Sequence, residues 1–215
     1  MDRPDLLMIS HAHKTVFVHI PKTGGQSIET VFLDDLGLAW RDRAALMLRQ
    51  NNNRNAGPQK LAHLYTDEYV ARGHMVAKDF DRYLKFSIVR HPFDRALSEF
   101  RYRVGAAAKR GQVLDLDDFL NSGASDDYLD SARHLVPQVR YVKDLQGRCL
   151  VDHVLRFEHL AQDIGPVFRE IFGGDRRLPH KNRSQTGLDA CLSAAQADLL
   201  YDRYRADFEA FGYER

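Results

Sequence analysis

The stretch Thr15-Val16-Phe17-Val18-His19-Ile20-Pro21-Lys22-Thr23-Gly24-Gly25-Gln26-Ser27 constrains this chain more than any other. Its first six residues are mostly β-branched or aromatic and read as a buried strand. Pro21 through Gly25 reads as a turn. A helix is predicted from about Ser27 to Leu36, with Ile28, Val31 and Phe32 toward the core and Gly37 ending it. Strand, glycine turn and helix start together make an anion site out of backbone. The glycines allow positive φ and close approach, and the free N–H groups of the first helical turn point at the ligand. Lys22 adds a full charge, and Thr23 and Ser27 add hydroxyls. The competing reading is a tight turn carrying a surface lysine. Lysine, two hydroxyls and a preceding apolar strand in one segment favour the cradle. It is not a Walker A loop, because Lys22 precedes the glycines instead of following them.

A second constellation follows a second predicted strand, Lys85 to Val89. Arg90 sits at the strand's carboxyl end, Pro92 near the start of a helix through about Val104, and Ser98 about two turns into it. An arginine fork suits a phosphate dianion, and a serine hydroxyl can add a bond; the alternative for Arg90 is an ion pair at a sheet edge. No evident magnesium-binding aspartate ends this strand, which argues against a kinase or GTPase. Further along, Thr66 is predicted to cap a short helix through Ala71. Leu116 to Leu120 reads as helix, Cys149 to Phe157 as a third strand, Glu158 to Phe172 as a helix irregular at Gly165-Pro166, and Leu192 to Phe208 as a last amphipathic helix. Strands alternating with helices predict an α/β fold, a P-loop-like central parallel β-sheet flanked by helices on both faces, with ligands bound beyond the strands' carboxyl ends.

The chain's 215 residues suit a single domain, 1–215, with Asn51 to Pro58 as a mobile loop. A net charge of +1 gives no support for a nucleic-acid partner. Two cysteines, Cys149 and Cys191, are too few for a disulfide framework or a cysteine zinc site, and are expected to be buried or idle. The charged start, Met1 to Asp5, leads into no apolar run, and no stretch reaches membrane-spanning length, so a cytoplasmic location is the expectation.

At this point the chain resembles the sulfotransferases that use 3′-phosphoadenosine-5′-phosphosulfate (PAPS), in their carbohydrate-type (heparan/chondroitin-like) branch. Val18 to Ser27 resembles the family's 5′-phosphosulfate loop, and Val89 to Ser98 its 3′-phosphate motif. Arg156-Phe157-Glu158-His159-Leu160, Leu178 to Ser184 and Tyr201 to Tyr213 resemble further family segments. The resemblance implies that Lys22, Thr23, Gly24, Gly25, Gln26 and Ser27 hold the 5′-phosphosulfate. It implies Arg90 and Ser98 on the 3′-phosphate, and Asn182 and Ser184 beside the nucleotide. It also implies PAPS as donor, PAP as product, a hydroxyl-bearing acceptor of carbohydrate type, and no metal. Animal relatives carry an N-terminal membrane anchor; the start of this chain suits a soluble, bacterial-type member.

Sulfuryl transfer needs cations around the sulfuryl oxygens and a base for the acceptor's proton. Lys22 is the candidate cation. His63 is the candidate base, since a histidine titrates near neutrality and relatives carry a similar H-x-T segment; here Thr66 lies three residues on. His74, His19 and Glu158 are the alternatives. His11 and His13 are expected at the surface, and His91 only to shape the turn before Pro92. Lys181 and Arg183 could add charge near the nucleotide, and Gln138 and Tyr141 lie in a segment resembling one that faces the acceptor. A phosphoryl-transfer enzyme and a non-catalytic nucleotide-binding regulator remain as competing readings.

Overall fold

The computed structural model describes residues 9–46, 49–123, 126–179 and 192–215. At its centre is a four-stranded sheet in the order β1 (Ile9–Ser10), β2 (Thr15–Val18), β3 (Leu84–Val89), β4 (His153–Arg156). The three long strands are parallel, with Phe17 level with Phe86 and Val89 level with Arg156. The helices that flank the sheet are α1 (Gly25–Asp35), α2 (Glu68–Ala71), α3 (Ala77–Arg82), α4 (Pro92–Ala108), α5 (Leu116–Asn121), α6 (Asp130–Arg133), α7 (Val139–Val142), α8 (Leu160–Phe172) and α9 (Ala194–Phe211). The mixed α/β expectation therefore holds. One feature was not foreseen: the two-residue β1 runs antiparallel to β2, joined through a turn with Lys14 at φ 48.

That hairpin also alters the reading of the first histidines. His11 Nδ1 is 2.7 Å from Tyr83 Oη, and His13 lies between Ser10 Oγ at 2.7 Å and Asp35 Oδ2 at 2.8 Å. Both are half-buried pins for the sheet edge, not surface residues.

Sequence explains most element boundaries. Pro92 occupies the first turn of α4, where its missing N–H costs nothing. α9 begins with a capping box, in which the Ser193 hydroxyl accepts from Gln196 N–H and the Gln196 side chain accepts from Ser193 N–H; it ends at Phe211, three residues beyond the predicted stop, with Gly212 in the left-handed region capping it. β4 is shorter than predicted. Asp152, just before it, joins Lys85 through its own N–H to the Lys85 carbonyl and through a carboxylate that accepts from the Lys85 N–H at 2.7 Å. Thr66 does not cap α2. Its hydroxyl instead donates to the Tyr141 carbonyl, and the Glu68 carboxylate takes the Tyr65 N–H. α8 runs without interruption through Gly165-Pro166.

The main core packs Ile28, Val31 and Phe32 of α1 and Ile164, Val167 and Phe168 of α8 with the apolar side chains of β2 and β3. A second cluster joins Phe100 of α4, Phe119 of α5 and Tyr204 and Phe208 of α9. Residues 51–58, read from sequence as a mobile loop, fold around Asn51, whose amide donates to the carbonyls of Asn53, Gly57 and Pro58. Cys149 is exposed, not buried.

Glu68 of α2 and Arg133 of α6 form a buried ion pair. Arg133, 1% exposed, donates to both oxygens of Glu68 at 2.6 and 2.9 Å and to the carbonyls of His63 and Asp127. Burial alone would raise the Glu68 pKa, but Arg133 and the Tyr65 N–H hold it below the ordinary 4.5. A carboxyl whose folded pKa is depressed adds stability above its unfolded pKa and loses it as pH falls. Arg133→Met leaves Glu68 with the half-buried Arg72, whose Nε donates to Oε1 at 2.8 Å, but strips Oε2 of its cation, so it should cost about 2 kcal/mol in urea denaturation. In the wild type, thermal stability should fall steadily as pH drops below 4.5; Glu68→Gln should flatten that slope.

Candidate functional site

The turns leaving β2 and β3 lie side by side because the strands are neighbours in register. The Ser87 hydroxyl, on β3, donates to the Val18 carbonyl at 2.7 Å and fixes the pair just below the turns. In the first turn Lys22 has φ 71 and Gly24 φ 85, so the chain turns sharply and α1 begins at Gly25. The two glycines are needed for different reasons. A Cβ on Gly24 would lie 2.8 Å from Phe157 Cε2, in a conformation side chains already disfavour. Gly25 has ordinary φ, but a Cβ there would lie 2.1 Å from His19 Nε2. His19 is buried beneath the first turn of α1, with Nδ1 2.8 Å from Glu29 Oε1 but off the hydrogen-bonding direction.

The predicted cradle residues separate in role. The Thr23 hydroxyl donates inward to the Ile20 carbonyl at 2.8 Å, so it shapes the turn and does not offer its proton to a ligand as expected. Ser27 is buried in the first turn of α1 and its N–H closes on the Gly24 carbonyl at 3.0 Å; Gln26 is exposed. The Lys22 ammonium stands 4.4 Å from the centre of the Tyr102 ring. Burial lowers its pKa, and Arg90 and Lys60 lower it further, against an opposing pull from Glu99.

Arg90 is clamped from behind. Its N–H donates to Gln138 Oε1 at 2.9 Å, and Gln138 Nε2 donates to its carbonyl at 2.8 Å. Gln138 is in turn held by Asp207 of α9, which accepts from the N–H groups of Gln138 and Val139 at 2.9 and 2.8 Å. Gln138, expected near the acceptor, is therefore a brace for Arg90. Tyr141, expected beside it, is fully buried and donates to the Arg133 carbonyl. The guanidinium of Arg90 lies 4.6 Å from the Phe157 ring, reaches the Lys22 carbonyl at 3.4 Å through Nη1, and keeps a buried Nε without a partner among the described residues. An unsatisfied buried N–H at this position is what an anion would satisfy. Ser98 is buried on α4; Asn182 and Ser184, with Lys181 and Arg183, lie outside the described residues.

The candidate bases also separate. His63 is buried, with Nδ1 2.5 Å from Asp130 Oδ1, and its ring lies 5.1 Å from that of His19. Burial, only partly offset by Asp130, holds it neutral with a pKa lowered to about 3. His74 is tied to the Ala56 carbonyl at 2.6 Å. Glu158 accepts from the His91 N–H and the Tyr213 hydroxyl, so it braces the turn before Pro92. His91 does shape that turn, and its Nε2 lies 3.0 Å from the Glu214 carbonyl.

Sequence reasoning missed Asp130, His134, Glu99 and Tyr102. They meet at an open groove of about 780 Å³ between α4 and the start of α6, which Gln59, Arg103 and Arg110 also line. The i,i+4 spacings Glu99/Arg103 and Asp130/His134 were visible in the sequence; that the two pairs face each other was not. His63, Asp130 and His134 could geometrically chelate a cation, their candidate ligand atoms lying within 4.8 Å of one another, but the Lys60 ammonium already stands 2.7 Å from Asp130 Oδ2.

Two adjoining strand-end turns with paired cations beside a groove now stand with a family comparison. The sulfotransferase family model matches residues 5–214. The chain is a sulfotransferase. No curated protein matches the sequence. Among the described residues of this sulfotransferase, no helix is long and apolar enough to cross a membrane.

The Gly25–His19 contact generates a test. Overpacking a fixed side chain costs about 1–3 kcal/mol, so Gly25→Ala should lower the melting temperature. Gly25→Ala combined with His19→Ala should recover part of the loss, and calorimetric denaturation of the two variants checks this.

Proposed function

We propose that this sulfotransferase takes the sulfuryl group of PAPS to a hydroxyl of a carbohydrate acceptor and releases PAP. The observation that carries the reading is the junction of the two turns, Arg90 Nη1 on the Lys22 carbonyl, which brings a cation from each turn to one place. PAP carries phosphates at its two ends, and two adjacent cationic turns suit such a ligand. In this reading Lys22 to Ser27 receive the 5′-phosphosulfate through the N–H groups that open α1, while Arg90 and Ser98, with Asn182 and Ser184, receive the 3′-phosphate.

The chemistry then follows from charge. As the bond from sulfur to the 5′-phosphate breaks, negative charge grows on the leaving oxygen, and Lys22 is the cation to meet it. The groove beyond Tyr102 admits the acceptor, and its half-exposed aromatic face suits the apolar side of a sugar ring. His63, which does not itself line the groove, takes the proton of an acceptor hydroxyl that reaches inward past Asp130. Its buried, neutral ring has a lone pair to offer.

PAP should raise the melting temperature and give a calorimetric isotherm, and ATP should do neither at the same concentration. Arg90→Ala should weaken PAP binding about 10- to 100-fold, the loss of one or two charge-assisted hydrogen bonds, without lowering the melting temperature of the free protein. Transfer of labelled sulfate from PAPS to a panel of sugars, phenols and lipids checks the acceptor class; transfer to phenols or lipids alone would refute the carbohydrate reading.

A further inference from the structure

Asp130, the first residue of α6, receives a cationic or N–H group on each oxygen. His63 Nδ1 is 2.5 Å from Oδ1, Lys60 Nζ is 2.7 Å from Oδ2, and His134 Nε2 is 3.4 Å from Oδ2. Behind His134, Nδ1 lies 2.7 Å from Glu99 Oε2, and Glu99 Oε1 accepts from Arg103 Nε at 2.7 Å. Two hydrogen-bonded pairs, Glu99–His134 and Asp130–His63, thus stand in a row from the groove to the ring beside His19 and the Gly25 turn, with His134 Nε2 near Asp130 at 3.4 Å but not hydrogen-bonded to it. The side chains of His63, His134 and Glu99 are 7%, 9% and 2% exposed, so little water intervenes.

This geometry selects a tautomer. Burial would protonate Asp130, but His134 and His63 hold its pKa far below the carboxylate range, so it is ionised. An ionised carboxylate can only accept. The nitrogen facing it, His63 Nδ1, must therefore carry the ring proton, which leaves the lone pair on Nε2. The groups that face His63 are Asp130, His134 and His19, with Lys60 on Asp130, Glu99 on His134 and Glu29 on His19.

We propose that Asp130 is a positioning residue for sulfuryl transfer, holding His63 as the Nδ1–H tautomer and stabilising the imidazolium that forms when Nε2 takes the acceptor proton. The inference rests on His63 being the base. In the step, the acceptor oxygen bonds to sulfur and its O–H bond breaks with the proton passing to Nε2. The S–O bond to the nucleotide breaks with its electron pair leaving on the 5′-phosphate of PAP. Asp130 stays ionised throughout.

Two measurements test it. Nitrogen-15 imidazole spectra of the free enzyme, with His63 assigned by its loss in His63→Asn, should show Nδ1–H in the wild type; a wild-type Nε2–H tautomer overturns the proposal without any Asp130 variant. The second is PAP release from PAPS with water as the acceptor. Asp130→Asn should slow it about 100-fold and move its acid limb to lower pH, because the carboxylate that raises the His63 pKa is gone, while PAP affinity by calorimetry stays the same. Asp130→Glu should regain part of the rate. If His63→Asn slows release and Asp130→Asn does not, Asp130 has no positioning role. If His63→Asn leaves release unchanged, the base assignment fails and the proposal with it, whereas the donor reading, tested by PAP binding, stands apart.

Discussion

Arg95 ties the site together. It is 2% exposed, and its guanidinium donates to three carbonyls: Pro21 at 3.1 Å, Val136 at 3.0 Å and His134 at 2.9 Å. Pro21 opens the first cationic turn, His134 stands between Glu99 and Asp130 along the groove, and Val136 lies two residues before the Gln138 brace of Arg90. One side chain from the first turn of α4 thereby sets the spacing of three segments far apart in sequence. A buried guanidinium without a bonded carboxylate is costly, so the carbonyl bound by each of its three nitrogens is what makes the arrangement stable. Any movement of the Pro21 turn relative to the groove must break one of these bonds.

The fold and the two cationic strand-end turns were legible because their signals are local. The strand run into Lys22, the two glycines, Arg90 at a strand end and Pro92 opening a helix each follow from a few consecutive residues, and the structure puts the two turns side by side as alternation of strands and helices implied. The errors share a cause. Thr23, Thr66, Gln138 and Tyr141 were given roles their chemistry allows, but each spends its polar group within the protein, Thr23 on the nearby Ile20 carbonyl and the other three on groups from other elements, as with Thr66 on Tyr141. A polar side chain carries no local sign of the partner that will claim it. Asp130, His134 and Glu99 were missed for the same reason, since the groove exists only once α4 and α6 pack. Their i,i+4 spacing is common on exposed helices and does not announce a buried cluster.

The buried polar groups serve two purposes, and charge balance separates them. Glu68 with Arg133 is closed on itself: Glu68 is met by Arg133, Arg72 and the Tyr65 N–H, Arg133 by Glu68, Asp127 and backbone carbonyls, neither lines the groove, and the effect is on stability. Asp130 with His63, Lys60 and His134 is different, because the group at its inner end is neutral and can change charge during a reaction. Asp130 and Glu99 together raise the pKa of His134 despite its burial, while burial holds that of His63 down to about 3. Two histidines a ring contact apart, 5.0 Å between centres, are thus shifted in opposite directions, because His134 faces two carboxylates and His63 one.

The same logic governs the cationic turns. Burial depresses the Lys22 pKa and Arg90 and Lys60 add to the effect, and burial likewise lowers that of Arg90. Like charges held close and partly dry are unfavourable in the free protein, and the structure sustains them because Arg90 is fixed through its backbone by Gln138 while Lys22 rests on the π face of Tyr102. Relief of that repulsion is what a bound anion would contribute under the proposed donor reading. Tyr102 also lines the groove, so the ring that supports the Lys22 ammonium is at the same time part of the groove wall, and the charge of the first turn meets the surface of the groove at a single side chain.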